Sequence, residues 1–207
     1  MIRIAVIAGS TRPGRRCEAV ANWVKEVADQ HSTVVSGDAT FEVVDLADHD
    51  LPILNEPTPA MFGQYHYDHT RRWAETIAAF DGFVFVTPEY NHSVPAALKN
   101  AIDYLFAEWN DKAAGFVSYG VNGGTRAVEH LRQILAEVKV ADVRTQVALS
   151  LFTDFEITDP TQPGLFTPGE IPESTLNELI DEVIVWARAL APIRENASGA
   201  AEEFAEA

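Results

Sequence analysis

The residues best able to do chemistry in this chain fall in three short segments. Gly9-Ser10-Thr11-Arg12-Pro13-Gly14-Arg15-Arg16 crowds three guanidiniums and two hydroxyls into one turn. If that turn leads into a helix, free N-terminal N–H groups join them, and a phosphate is the anion such a set stabilises. Gly9 and Gly14 have Walker A spacing, but Arg15-Arg16 stands where that loop needs Lys followed by Ser or Thr. The dinucleotide fingerprint G-x-G-x-x-G is absent as well. The second segment, Glu89-Tyr90-Asn91-His92, is polar or amphipathic and interrupts an otherwise apolar stretch. The third, Ser118-Tyr119-Gly120-Val121-Asn122-Gly123-Gly124-Thr125, carries three glycines, which allow positive φ and close approach of backbone to a flat ligand. Ordinary connecting turns, the first with solvated arginines, are the plain alternative for the first and third segments.

Such loops need strands before them and helices after them. Phe83-Val84-Phe85-Val86 is apolar without alternation, as a central parallel strand covered on both faces should be. Pro88 ends it, having no N–H for a sheet ladder. Beyond the loop, Ser93 is a candidate N-cap for a helix with Ala97, Leu98, Ala101, Ile102 and Leu105 at helical spacing. The same signals predict strands near 2–8, 41–44, 83–86, 115–119 and 144–149, and helices near 14–30, 67–80, 94–105, 125–138 and 173–190. This alternation is that of a doubly wound parallel sheet, and five strands suit the order 2-1-3-4-5. Ligands bind such sheets at the carboxyl edge of the strands, so the three loops are expected to meet there. Two irregular segments with several prolines, 48–64 and 152–172, have a length associated with function or flexibility.

With 207 residues, 47% of them hydrophobic, one domain with a substantial core is expected over 1–193, followed by an acidic, flexible tail over 194–207. A net charge of −16 argues against a nucleic-acid surface and makes the clustered arginines of the first loop more telling. A single cysteine, Cys17, excludes an internal disulfide, and strand-like residues begin at Ile2 without a charged and apolar leader. A reducing cytoplasm is the expected location, and no apolar run reaches membrane-span length.

GSTRPGRR, PEYNHSVPAALKNAIDY and SYGVNGGTRAVEHLR, with VVDLADHDLPIL around the second strand, resemble the signature segments of the NADPH-dependent FMN reductase family, the flavodoxin-like quinone and azo reductases. The resemblance covers roughly residues 2–149. It implies an α/β flavodoxin-like three-layer sandwich, a five-stranded parallel sheet of order 2-1-3-4-5 with helices on both faces. It also implies FMN as cofactor and NADPH or NADH as reductant, with hydride passing through the flavin to quinones, azo compounds or similar small acceptors. No catalytic side-chain nucleophile and no metal would then be required. By this resemblance Ser10, Arg12, Arg15, Arg16 and Cys17 hold the FMN phosphate, and either Arg15 or Arg16 alternatively meets the 2′-phosphate of NADPH. Pro88, Glu89, Tyr90 and Asn91 wrap the isoalloxazine, chiefly through backbone N–H groups, with His92 and Ser93 continuing the contact. Ser118, Gly120, Gly123 and Gly124 close the other side.

The Glu89 side chain is expected to face solvent or a neighbouring subunit, and Cys17 to be a small helix residue with a thiol pKa lowered near the helix N-terminus. Family members are commonly dimers or tetramers, which implies a homodimer or homotetramer, and Phe106 and Trp109 are candidates for an oligomer contact or pocket wall. His66, Asp68 and His69 form no closed metal-ligand set and are assigned to a solvated helix start. The competing functions are a flavodoxin-like electron carrier reduced by a protein partner, and a nucleotide hydrolase or flavin-free regulatory domain.

Overall fold

The computed structural model describes residues 1–205, with side chains through residue 196. Five strands, β1 (Ile2–Ala8), β2 (Ala39–Asp45), β3 (Gly82–Pro88), β4 (Ala113–Gly120) and β5 (Ala141–Ser150), pair in parallel in the order β2-β1-β3-β4-β5, as expected. Side chains alternate between the two faces of a strand, so each strand feeds two cores. Ile4, Val6, Ala8, Val84, Val86 and Val117 pack with α1 (Cys17–Gln30) and α6 (Glu170–Ala205). Ala5, Ile7, Phe83, Phe85 and Phe116 pack with α3 (Asp68–Ala78), α4 (Ala96–Asp103) and α5 (Thr125–Glu137). β3 and β4 are buried at every position, which explains their unbroken apolar sequence. A one-turn helix, α2 (Ser32–Val35), links α1 to β2 and is capped by the His31 ring, which accepts from the Thr33 N–H at 3.3 Å.

The expected elements are all present, and their ends move for local reasons. α1 starts at Cys17 because the chain before it is still turning, with Gly14 at φ +67° and the Arg15 N–H bonded to the Arg12 carbonyl. Ser93 is not an N-cap; Pro95 holds that position and α4 begins at Ala96. Segment 152–172 is not structureless: β6 (Phe155–Glu156) and β7 (Leu165–Phe166) form an antiparallel hairpin. α6 begins at Glu170 and carries the backbone of the acidic segment on to Ala205 through an internal Pro192. The expectation of a flexible tail over 194–207 lies in part outside the described residues, which end at 205 for the backbone and at 196 for side chains. Trp109 is fully buried, its ring 5.0 Å from that of Phe83 and its indole N–H donated to the Ile102 carbonyl, so it is core rather than an oligomer contact. Phe106 is partly buried against the same core.

Candidate functional site

The three loops do meet, at the carboxyl ends of β1, β3 and β4, and side chains lock them together. In the β1–α1 loop, Ser10 is fully buried and its hydroxyl shares a 2.9 Å hydrogen bond with the Tyr90 hydroxyl of the β3–α4 loop. Thr11, Arg12, Pro13 and Gly14 are exposed, and Arg15 and Arg16 half-buried. Their guanidiniums differ in what they face. Arg15 is ion-paired with Asp45 at the end of β2, so its charge is largely neutralised. Arg16 donates to the Gln162 carbonyl at 3.0 Å, and among the described residues neither Arg16 nor Arg12 has an acidic partner.

Cys17 departs from expectation. Its thiol is buried in the α1 layer, donates to the Val86 carbonyl at 3.3 Å, and is pushed up to about 12 by burial, against the opposing pull of the Ser10 backbone and the Tyr119 hydroxyl. The position at the start of α1 does not lower it, because burial in the core outweighs the interactions that favour the thiolate. Tyr119 is raised well above its ordinary value by the same burial and by Cys17. Any contact of Cys17 with an anion is thus left to its main chain.

The β3–α4 loop leaves the sheet at Pro88, and the next N–H, that of Glu89, continues the ladder with a 3.2 Å bond to the Tyr119 carbonyl. Tyr90 and Ser93 then bond to each other in both directions, at 2.9 and 3.2 Å. Asn91 and His92 between them have φ of 48° and 75°, the signature of a type I′ turn built without glycine. Asn and His are among the non-glycine residues best able to occupy that region.

The Glu89 side chain does not face solvent but turns inward onto its own chain. It is 7% exposed, pairs with the guanidinium of Arg126, and accepts the Arg126 backbone N–H at 3.2 Å. It thereby caps α5, whose own N-cap, Gly124, has no side chain to do so. His130, one turn along α5, bonds the Ser93 hydroxyl at 2.9 Å and ties the two loops a second time. In the β4–α5 loop, Ser118 is buried and donates to the Gly123 carbonyl at 2.6 Å, so it shapes the loop and does not line it. The Gly123 N–H bonds the Gly120 carbonyl, and Gly124, at φ +70°, lies so close to β4 that a Cβ there would come within 2.9 Å of the Tyr119 nitrogen.

Arg126 and His130 are the site residues that sequence reasoning missed. A signal existed for the first, since a cation in the opening turn of a helix opposes the macrodipole and calls for an acid nearby. Two further observations bear on the ligand. The Nε donors of Arg15, Arg16 and Arg126 are buried without a hydrogen-bond partner, which leaves unused donor capacity in the first and third loops. Exposed Arg12 and the start of α1 add positive potential in a chain of net charge −16. The charge of the arginine loop and the close backbone approach allowed at the glycines fit a flat, phosphate-bearing group such as FMN. Among the described residues no group of three or more His, Cys, Asp or Glu is placed to hold a metal. His69 is instead 3.1 Å from the Asn55 side-chain oxygen, and Asp68 pairs with Arg71. A cavity of about 490 Å³ beside Phe80, Asp81, Lys112 and Arg194 sits at the opposite end of the sheet, where Lys112 Nζ bonds the Ile77 carbonyl at the end of α3; it is remote from this chemistry.

Comparison with known proteins finds relatives of one kind. The family model described as NADPH-dependent FMN reductase matches residues 2–154. An NAD(P)H-dependent FMN reductase of Schizosaccharomyces pombe is 38% identical over 165 residues, 79% of this chain and 80% of that protein. A quinone reductase of Escherichia coli strain K12 is 36% identical over 141 residues, 65% of this chain and 69% of that protein. Among solved structures, the flavoenzyme NAD(P)H:(acceptor) oxidoreductase of Paracoccus denitrificans superposes with a TM-score of 0.64 at 20% identity, covering 91% of this chain and 98% of that one.

Proposed function

The chain belongs to the NADPH-dependent FMN reductase family, and from that premise we propose that it carries two electrons from NAD(P)H through bound FMN to quinones, azo compounds or similar small acceptors. The observation that carries this reading is that three loops are locked together at one edge of the sheet: an arginine loop, a turn with preset backbone and a glycine loop, held by Ser10–Tyr90 and Glu89–Arg126. Bound FMN would supply the redox centre, and the protein supplies orientation, charge and exclusion of water. Arg12 and Arg16 hold the phosphate, with the backbone of the β1–α1 loop; Arg15 contributes less because Asp45 already faces it. Pro88 to Asn91 and Gly120 to Gly124 flank the ring with main-chain groups. Pro88 has no N–H and those of Glu89 and Tyr90 are taken by the Tyr119 and Ser93 carbonyls, so of that turn it is the Asn91 N–H that is left to favour the negative charge that reduction brings. An apolar cavity of about 400 Å³ lined by Val121, Leu151, Phe152, Phe155 and Ile157 opens beside the β4–α5 loop and suits the ring of a quinone.

We assign the protein to the cytoplasm and to a homodimer or homotetramer. Exposed Ile53, Leu54, Met61 and Phe62 support a subunit contact, and no helix among the described residues is long and apolar enough to cross a membrane. The electron-carrier alternative is disfavoured because the curated relatives are NAD(P)H-dependent reductases. Stopped-flow mixing of FMN-loaded protein with NADPH, then NADH, tests the proposal: the flavin absorbance should bleach and return on addition of a quinone. A flavin that stays oxidised removes the reductase reading. Arg12→Ala should weaken FMN binding by about tenfold, the order of one charge-assisted contact, with an unchanged melting temperature. Equal FMN affinity in a flavin-fluorescence titration would show that Arg12 does not meet the phosphate.

A further inference from the structure

Building on the flavin reading, we propose that the β6–β7 hairpin is the outer wall of the phosphate end of the site. In this arrangement its hold on Arg16 makes the protein retain FMN in preference to unphosphorylated riboflavin. The hairpin reaches back from the edge strand β5 to the β1–α1 loop and touches it twice. A Cβ on Gly14 would lie 2.5 Å from the Thr161 carbonyl oxygen, so the two backbones are in direct contact and only glycine fits between them. Two residues on, Arg16 donates to the Gln162 carbonyl.

The arm that makes these contacts is firmly built. The Phe155 and Phe166 rings lie 4.9 Å apart; Phe166 meets Trp23 of α1 edge-on at 5.4 Å, and Phe155 lies 5.9 Å from Tyr119. Asp154, nearly buried, accepts from the Ser150 N–H at 2.7 Å and fixes the arm to the end of β5. At the tip, Asp159 accepts both the N–H and the hydroxyl of Thr161, at 2.8 and 2.7 Å.

A carbonyl orients a guanidinium without neutralising it. Arg15, facing Asp45, has its charge cancelled; Arg16, facing Gln162, keeps its charge while its Nε is withheld from water and lacks a partner. A cation that is already oriented and partly desolvated binds an anion more strongly than one free in solvent, which would lose side-chain entropy and hydration on binding. The benefit accrues only to a ligand carrying the phosphate.

The test compares wild type with a variant whose residues 158–163 are replaced by an Asn-Gly turn, and with Arg16→Gln, using titration with FMN and with riboflavin. Shortening the hairpin should weaken FMN by about tenfold and leave riboflavin unchanged, and the double variant should be no worse than Arg16→Gln alone. Unchanged FMN affinity, or equal weakening of both flavins, overturns the proposal. Absence of any flavin binding by wild type would instead overturn the function from which it starts. Should the shortened chain fail to fold, hydrogen exchange on wild type decides: the amides of Thr161 and Gln162 should gain protection with FMN but not with riboflavin, and identical exchange with the two flavins refutes the clasp.

Discussion

The Glu89 carboxylate acts within the protein: it caps one helix and pairs with a cation on it. Its direction was not legible in the sequence, because the partner, Arg126, lies on another loop and only the fold brings the two together. Glu89→Gln preserves the shape and removes the charge, leaving Arg126 unpaired at a helix N-terminus. Chemical denaturation should show a loss of about 1–2 kcal/mol, the lower part of the range for hydrogen bonds to charged groups because Arg126 is half exposed. A loss indistinguishable from zero would mean the pair is idle. Cys17 misled for the opposite reason: its position in the sequence suggested a helix N-terminus, whereas its side chain answers to the core. Folded, the thiol stays protonated up to about 12, against an ordinary value near 9. The unfolded chain therefore releases a proton first as pH rises, and the stability due to Cys17 declines from about pH 9 upward. Unfolding free energies of wild type and Cys17→Ala should accordingly converge between pH 9 and 11; a constant gap would argue against so high a value.

At the scale of elements, the buried strands were the most legible because their environment is uniform. β3 and β4 are covered on both faces, so every residue obeys one rule and the apolar run marks the strand. β5, at the sheet edge, mixes buried and exposed positions, and its first residues escaped notice. The β6–β7 hairpin was hidden because two-residue strands carry no periodicity, and its stability comes from ring contacts with α1 and β4. α5 depends on the turn before it. Gly124→Ala would place a methyl against the backbone of Tyr119 at a φ of +70°, and strain of about 1–2 kcal/mol from the left-handed conformation adds to the clash. Thermal unfolding should fall by several degrees, with FMN affinity lost alongside; a variant that melts like wild type would show that the loop relaxes freely.

For the molecule as a whole, the strand order was readable from the alternation of elements, but which side chains join the loops was not, since those joins cross the chain. They differ in how far they cross it. Glu89 and Arg126 are 37 positions apart, Ser10 and Tyr90 80, and Arg16 and Gln162 146. Closing a longer loop costs more chain entropy and is generally later. The sheet and its first ties can form while the phosphate end still lacks its outer wall. Refolding from denaturant in the presence of FMN should therefore show secondary structure recovering before tight flavin capture, with simultaneous recovery counting against this order. The hairpin's long reach thus makes cofactor retention a property that the chain gains last, so a protein arrested after its sheet has formed would look folded by circular dichroism and still let its flavin go.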